Sequence, residues 1–405
     1  MKQDGVNGPN DQESRLGGSM SRRAFVGLAA AGLAGLAARP AEGAGGFAPE
    51  PGQITASSGI RTNIDEILKI PRTASSMPGR YPGIVAMVNS GRMASSGKID
   101  AGLAKQALDQ GLMKLTGKRT AQDAWREFVS PSDQVGIKIN PIGHLPTSRE
   151  LTQAVIDGLQ ESGVPRSRIA VWDRRLPQLL EGGFTPKRFP DIELLGTEIL
   201  GPNGEYTDDK GEYWGNKNLD FEALSYFADI EGSEAPSSLP AGADARRRSY
   251  FSKLVTRRFT KIINLPVLKS VQPVGISFAL KNLTFGTVSN ASRLHQLIAN
   301  AIPEVCAFPC LRDKVVLHIG DALVASYYGG VGAPRKHQWD ANRLFIGSDG
   351  VAVDLLAQKF LATERIARGV QSEVNPSARQ YLDIAAKLGL GVADISKIDL
   401  RELTI

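Results

Sequence analysis

Two cysteines and four histidines in 405 residues leave little material for a metal centre. Cys306 and Cys310 are too few for a self-contained iron–sulfur cluster, which takes about four ligands. In an oxidising compartment they pair or stay as two buried thiols, and their spacing decides neither. His144, His295, His318 and His337 form no HxxxH or HExxH spacing, so a zinc site of the usual kind is not expected. GxGxxG, Walker A and GxSxG runs are missing as well, so no motif names a reaction. Gly329-Gly330-Val331-Gly332 follows two tyrosines rather than a strand, which makes it a poor phosphate loop. A concentrated basic stripe is also lacking. The net charge is +6, and the first 43 residues, with five Lys or Arg and four Asp or Glu, hold one unit of it. The rest is thinly spread, which argues against a nucleic-acid partner. Arg246-Arg247-Arg248 and Arg257-Arg258 are short and read as solvated surface. No internal repeat is present.

No apolar run is long enough to stay in a membrane. The longest begins after Ser21-Arg22-Arg23, runs as an Ala/Gly/Leu stretch to Ala38 and stops at Arg39-Pro40. At about 15 residues it is shorter than the roughly 20 that span a bilayer. A charged lead, a short mild apolar region and small residues near Ala41–Gly45 make residues 1–44 a cleavable signal, and the arginine pair marks the twin-arginine route. Met20 offers a second start with a compact charged lead. The expected location is periplasmic, with the twin-arginine translocase as the export partner and no stable membrane span after cleavage. That route carries folded proteins, which suits a cofactor loaded before export. The sequence does not say which.

What is present is a repeated strand and helix pattern. Residues 45–82 are rich in Gly, Pro and Ser and read as a linker and lead-in. Gly83–Asn89 is an apolar run bounded by turn residues, a first strand, and 101–115 and 120–129 have helical spacing. Val135–Asn140 reads as a strand. Thr147 to Glu150 fits a capping box at the start of a helix bearing Leu151, Val155 and Leu159, which stops at Gly163. Ile169–Trp172 is the next strand, so this stretch is a βαβ unit. Lys261–Leu265, Val315–Ile319 and Leu344–Gly347 read as further buried parallel strands. Val351–Leu361 and Ser377–Leu388 have helical spacing. The expected fold is an α/β domain over residues 83–395, with an open, mainly parallel, Rossmann-like sheet, helices on both faces and one or two lobes. An insertion lies near 185–250, and 396–405 is a C-terminal tail.

Ligands of open parallel sheets sit beyond the carboxyl ends of the strands. Polar residues fall there repeatedly: Lys138 and Asn140, Asp173 and Arg174, Lys269, Asp321, then Ser348 and Asp349. Free N–H groups at nearby helix starts would add to an anion site. Lys281-Asn282 lies in an apolar stretch, Phe278–Leu283, where a desolvated lysine serves as base or nucleophile, or else snorkels. His295, in a polar segment, is an acid/base candidate or a surface histidine.

The ordered strings VGIKIN (135–140), AVWDR (170–174), INLPVLK (263–269), ALKNLTFGTVSNASRLH (279–295), VLHIGDAL (316–323), YYGGVGAP (327–334) and GSDGVAVD (347–354) resemble the domain of unknown function 362, in its twin-arginine-exported branch. The resemblance runs from about residue 83 to 395 and matches at Lys281-Asn282 and His295. It departs at Ser270-Val271-Gln272, where the family carries an acidic residue and a histidine, which removes a metal ligand. An attached iron–sulfur segment of some members is missing. More distantly the chain is similar to nickel-dependent lactate racemase, which would have Lys281 and His295 hold or meet a cofactor. The expectation is therefore an exported enzyme that binds a small anionic substrate or cofactor. Lys281 and His295 would be catalytic, and Lys138, Asn140, Asp173, Arg174, Lys269, Asn282 and Asp321 would bind. The alternative is a periplasmic anion-binding protein without turnover.

Overall fold

The computed structural model describes residues 59–200, 206–207, 218–232, 242–244, 246–370 and 376–405. The export segment and the first part of the lead-in lie outside them, as do parts of the 185–250 insertion. In chain order the strands are β1 (Ile84–Asn89), β2 (Ala94–Ser95), β3 (Lys98–Ile99), β4 (Val135–Lys138), β5 (Ile169–Arg175), β6 (Glu193–Leu200), β7 (Tyr206–Thr207) and β8 (Tyr226–Phe227). They continue with β9 (Arg248–Ser249), β10 (Lys261–Asn264), β11 (Val267–Val271), β12 (Gly275–Ser277), β13 (Val315–Ser326), β14 (Gln338–Gly347) and β15 (Asp399–Thr404). The helices are α1 (Ile64–Leu68), α2 (Ala101–Thr116), α3 (Ala121–Arg126), α4 (Arg149–Glu161), α5 (Leu176–Glu181), α6 (Ala279–Thr287), α7 (Ile298–Cys306), α8 (Pro309–Arg312), α9 (Gly350–Ala367) and α10 (Pro376–Lys387).

The main sheet runs β15-β1-β14-β13-β10-β4-β5-β6-β7, with β11 added beside β13 and β12 paired to β11. Most pairings are parallel, and the sheet does not close on itself. Alternation along β5 explains its central place. Ile169 and Val171 enter one apolar cluster and Ala170 and Trp172 the other. A strand buried on both faces reads as a continuous apolar run because each face needs its own filling. Helices α2, α3 and α4 cover the first face, and α6, α7, α9 and α10 the second. The described residues all fall in one compact unit rather than two lobes.

β4 is where the chain turns. It continues outward through α4 to β5 on one side, and β10 flanks it on the other. The register places Lys138 opposite Trp172 of β5 and Asn264 of β10, so three carboxyl ends share one level. Connections that leave such neighbours towards opposite faces open a crevice between them.

Several expectations are revised. Leu344–Gly347 is only the end of β14, which runs antiparallel to β13 and β1, so the sheet is mixed. β13 extends 12 residues and contains Asp321 rather than ending before it. Residues 399–404 are no tail, since β15 pairs with β1 along its whole length and Leu403 packs on the core. The capping box does not form. Ser148 is the N-cap of α4 and Thr147 turns elsewhere, because both hydroxyls have buried partners beyond the helix. Cys306 and Cys310 are both free thiols, and burial pushes each up to about 12. No helix among the described residues is long and apolar enough to cross a membrane.

Candidate functional site

Along β4, Val135 and Ile137 enter the first apolar cluster, and the alternation sends Lys138 towards α6. Its side chain is 1% exposed, and its Nζ sits 2.5 Å from Asp173 Oδ1. The same ammonium donates to Asn282 Oδ1 at 3.1 Å and to the Ile139 carbonyl at 2.8 Å, so its three protons all have acceptors. Burial pulls the amine below its ordinary value, and the Asp173 carboxylate opposes the shift. Asn282 Nδ2 in turn donates to Asn264 Oδ1 at 2.8 Å. Asn264 Nδ2 lies 2.8 Å from the Ala279 carbonyl and 3.0 Å from His318 Nδ1. Because that amide donates, the ring accepts at Nδ1. Burial drops His318 to about 3, so it is neutral and part of the frame.

Gly286 makes this frame possible. A Cβ built there would lie 2.3 Å from Lys138 Cε and 2.4 Å from its Nζ. Only a residue without a side chain lets α6 come down on the ion pair.

Lys269, fully buried on β11, donates to Asn140 Oδ1 at 3.0 Å and to the Ile142 carbonyl at 2.7 Å. It backs the wall that Asn140 presents. Burial first, then the nearby charge of Lys281, pulls it down to about 7. Arg174 and Arg175 both reach Glu198 on β6, at 2.5 and 2.7 Å.

Lys281 is different. It is half-buried on α6, its Nζ lies 4.6 Å from the centre of the Phe285 ring, and no hydrogen bond or ion pair engages it among the described residues. Burial lowers its amine to about 8. His295, on the short turn Ser292–Leu297, is exposed and lies 4.5 Å from the same Phe285 ring. Its Nδ1 is 3.0 Å from the Ser292 carbonyl, which only accepts, so Nδ1 carries the proton and Nε2 is the basic nitrogen of the neutral ring.

These side chains line one cleft. A compartment of about 290 Å³ is bounded by Lys138, Asn140, Asp173, Arg174, Lys281, Asn282 and His295. A neighbouring one of about 640 Å³ is bounded by Ser270, Tyr328, the 329–332 glycine loop and Arg365, and the two share Lys281, His295 and Val331. Seven of the nine residues singled out from sequence thus meet at one hollow, and Lys269 stands behind it. Asp321 does not join them. Buried in β13, it accepts from the Ser148 N–H at 2.7 Å, the Ser148 hydroxyl and the Leu323 N–H, and so fixes the start of α4. Asp349 likewise takes four N–H groups, from Val351, Ala352, Gly83 and Val392, and Asp354 takes those of Ala279 and Leu280. First-turn N–H groups of α6 and α9 are therefore met by the protein's own carboxylates, and Asp321 holds the N-cap residue of α4.

Around the two compartments stand five cations, Lys138, Arg174, Arg175, Lys281 and Arg365, and one carboxylate, Asp173, among the described residues. A furrow between α2 and α4 has about 620 Å³, but it is lined by Asp109, Glu150 and Asp157 against a single Lys105, which does not suit an anion. Sequence reasoning missed Gly286, Asn264, Arg175 and Phe285. A glycine one turn after Asn282 inside an apolar helical stretch was the available signal, since such a glycine needs a packing reason. Gly143, whose Cβ would strike the Val331 carbonyl and which ties the β4–α4 loop to the glycine loop, had no signal. No group of three His, Cys, Asp or Glu side chains is disposed to hold a metal among the described residues.

The fold and cleft define the class: an open α/β protein with a cation-rich hollow at the carboxyl ends of its central strands. Residues 223–359 match the family described as Domain of unknown function (DUF362). The match supports placing that stretch in the family, and it holds Lys269, Lys281, Asn282 and His295 but not Lys138 or Asp173. No curated protein and no solved structure matches.

Proposed function

We propose that the chain is an exported enzyme that binds a small anionic substrate or cofactor in the cleft, with Lys281 and His295 moving a proton. The excess of cations over carboxylates around the cleft carries this reading. Lys138 is compensated by Asp173 and the two arginines share Glu198, whereas Lys281 has neither a hydrogen bond nor an ion pair among the described residues. A ligand carboxylate or phosphate supplies what Lys281 lacks. An amine near 8 and a histidine with a basic Nε2, packed on one ring, are groups suited to proton transfer close to neutral pH. Export by the twin-arginine route rests on Arg22-Arg23 and the short apolar run after them. The lactate racemase likeness enters only as a reason to look for a bound cofactor.

The test is thermal unfolding of the full chain in sulfate, phosphate and small carboxylates, beside Lys281→Ala and His295→Ala. Stabilisation by an anion that vanishes in Lys281→Ala supports the site. Equal stabilisation in all three proteins removes it. Native purification from the periplasm then separates turnover from capture: a stoichiometric cofactor favours the enzyme and a released metabolite favours a binding protein. An Arg22-Arg23 to Lys-Lys change that leaves the chain in the periplasm ends the export proposal.

A further inference from the structure

We propose that Lys281 is an imine-forming nucleophile and that the cleft takes small carbonyl acids, namely 2-oxo acids or aldehydes bearing a carboxylate. This rests on the anion reading above and deepens it. The cleft holds two lysines that cannot do this chemistry and one that can. Lys138 has all three ammonium protons placed on acceptors, one of them a carboxylate. Lys269 is sealed from solvent with two acceptors. Lys281 has neither restraint, and it borders both compartments.

A nucleophilic amine must be neutral for part of the time. Desolvation on α6 provides that, since an amine near 8 has a neutral fraction at pH 7.5 that is roughly two hundred times that of an ordinary lysine near 10.4. The carboxylate of such a substrate faces the surplus positive charge around the first compartment. Attack of the Nζ lone pair on the carbonyl carbon sends the π pair to oxygen, and transfer of a nitrogen proton to that oxygen gives a carbinolamine. Loss of the hydroxyl as water re-forms the double bond to nitrogen, so amine plus carbonyl gives imine plus water, with no redox change. The leaving oxygen needs a proton, and His295, packed on the same Phe285 ring, is placed to supply and recover it. His295 is a positioning and proton-transfer group here, and Lys281 forms the bond.

The experiment incubates the full chain with glyoxylate, the smallest anionic aldehyde, and cyanoborohydride at pH 7.5, then maps the reduced adduct by mass spectrometry. The expected result is one adduct on Lys281, formed at least tenfold faster than on the exposed Lys98 and Lys187, and absent from Lys281→Arg. His295→Gln slows labelling of Lys281. Labelling of Lys281 no faster than Lys187, or an unchanged adduct in Lys281→Arg, overturns the proposal. Sulfate stabilisation tells the two readings apart: if it persists without selective labelling, only the imine fails, and if both are missing, the anion site fails with it.

Discussion

The floor and the rim of the cleft are built from the same residue types with opposite consequences. On the floor, Lys138, Asp173, Asn282, Asn264 and His318 Nδ1 are linked by hydrogen bonds in a chain closed by Gly286. At the rim, Lys281 rests on Phe285 with no acceptor among the described residues, and His295 stands exposed beside it. A buried charge left unpaired is costly, so the folded protein needs the floor complete. A half-buried amine can stay unpaired, because solvent covers part of it until a ligand arrives. The difference separates residues that shape the hollow from residues that meet what enters it.

The sharpest way to break the floor is Asp173→Ala, which strands the Lys138 ammonium in a dry site. The expected loss is about 3–5 kcal/mol in urea unfolding. A loss below about 1 kcal/mol would mean that the ion pair is no frame. Gly286→Ala follows, with a Cβ pressed against the pinned end of Lys138. Overpacking there should cost about 1–3 kcal/mol and weaken anion binding as well, which calorimetry checks. At the rim the pattern reverses. Lys281→Met should leave stability within about 1 kcal/mol while anion affinity falls at least tenfold, about 1.4 kcal/mol. The pH dependence of stability is a further test. Lys269 and Lys281 are near 7 and 8 in the folded chain, against about 10.4 when unfolded. Between those values the unfolded chain binds more protons, so the share of stability these amines set rises from about pH 7 to 10. Lys269→Met should flatten that rise, and a profile identical to the parent would contradict the assignment.

The fold was legible where periodicity is local. The β4–α4–β5 unit, α2 and α9 follow from apolar spacing, and the alternation of Ile169–Trp172 announces a strand buried on both faces. Antiparallel β14 and the pairing of β15 with β1 were not legible, because strand direction is set by partners far along the chain. At the site, Lys281 was visible as a charge in an apolar stretch. Asp321 misled for a physical reason: a carboxylate near a strand end binds a ligand or caps a neighbouring helix, and the sequence does not say where Ser148 will lie. Asn264 acts only through contacts with residues distant in the chain, so nothing nearby in sequence marked it, whereas Gly286 showed only as a glycine inside an apolar helical stretch.

The most direct measurement is calorimetric titration of oxalate into the full chain and into Lys281→Met, at pH 6.5 and pH 9. With Lys281 as the unmet charge, the parent binds at pH 6.5, weakens at least fivefold at pH 9 as the amine passes about 8, and the variant binds weakly at both. Equal affinity in parent and variant, or binding indifferent to pH, would show that the rim lysine is not what the ligand meets.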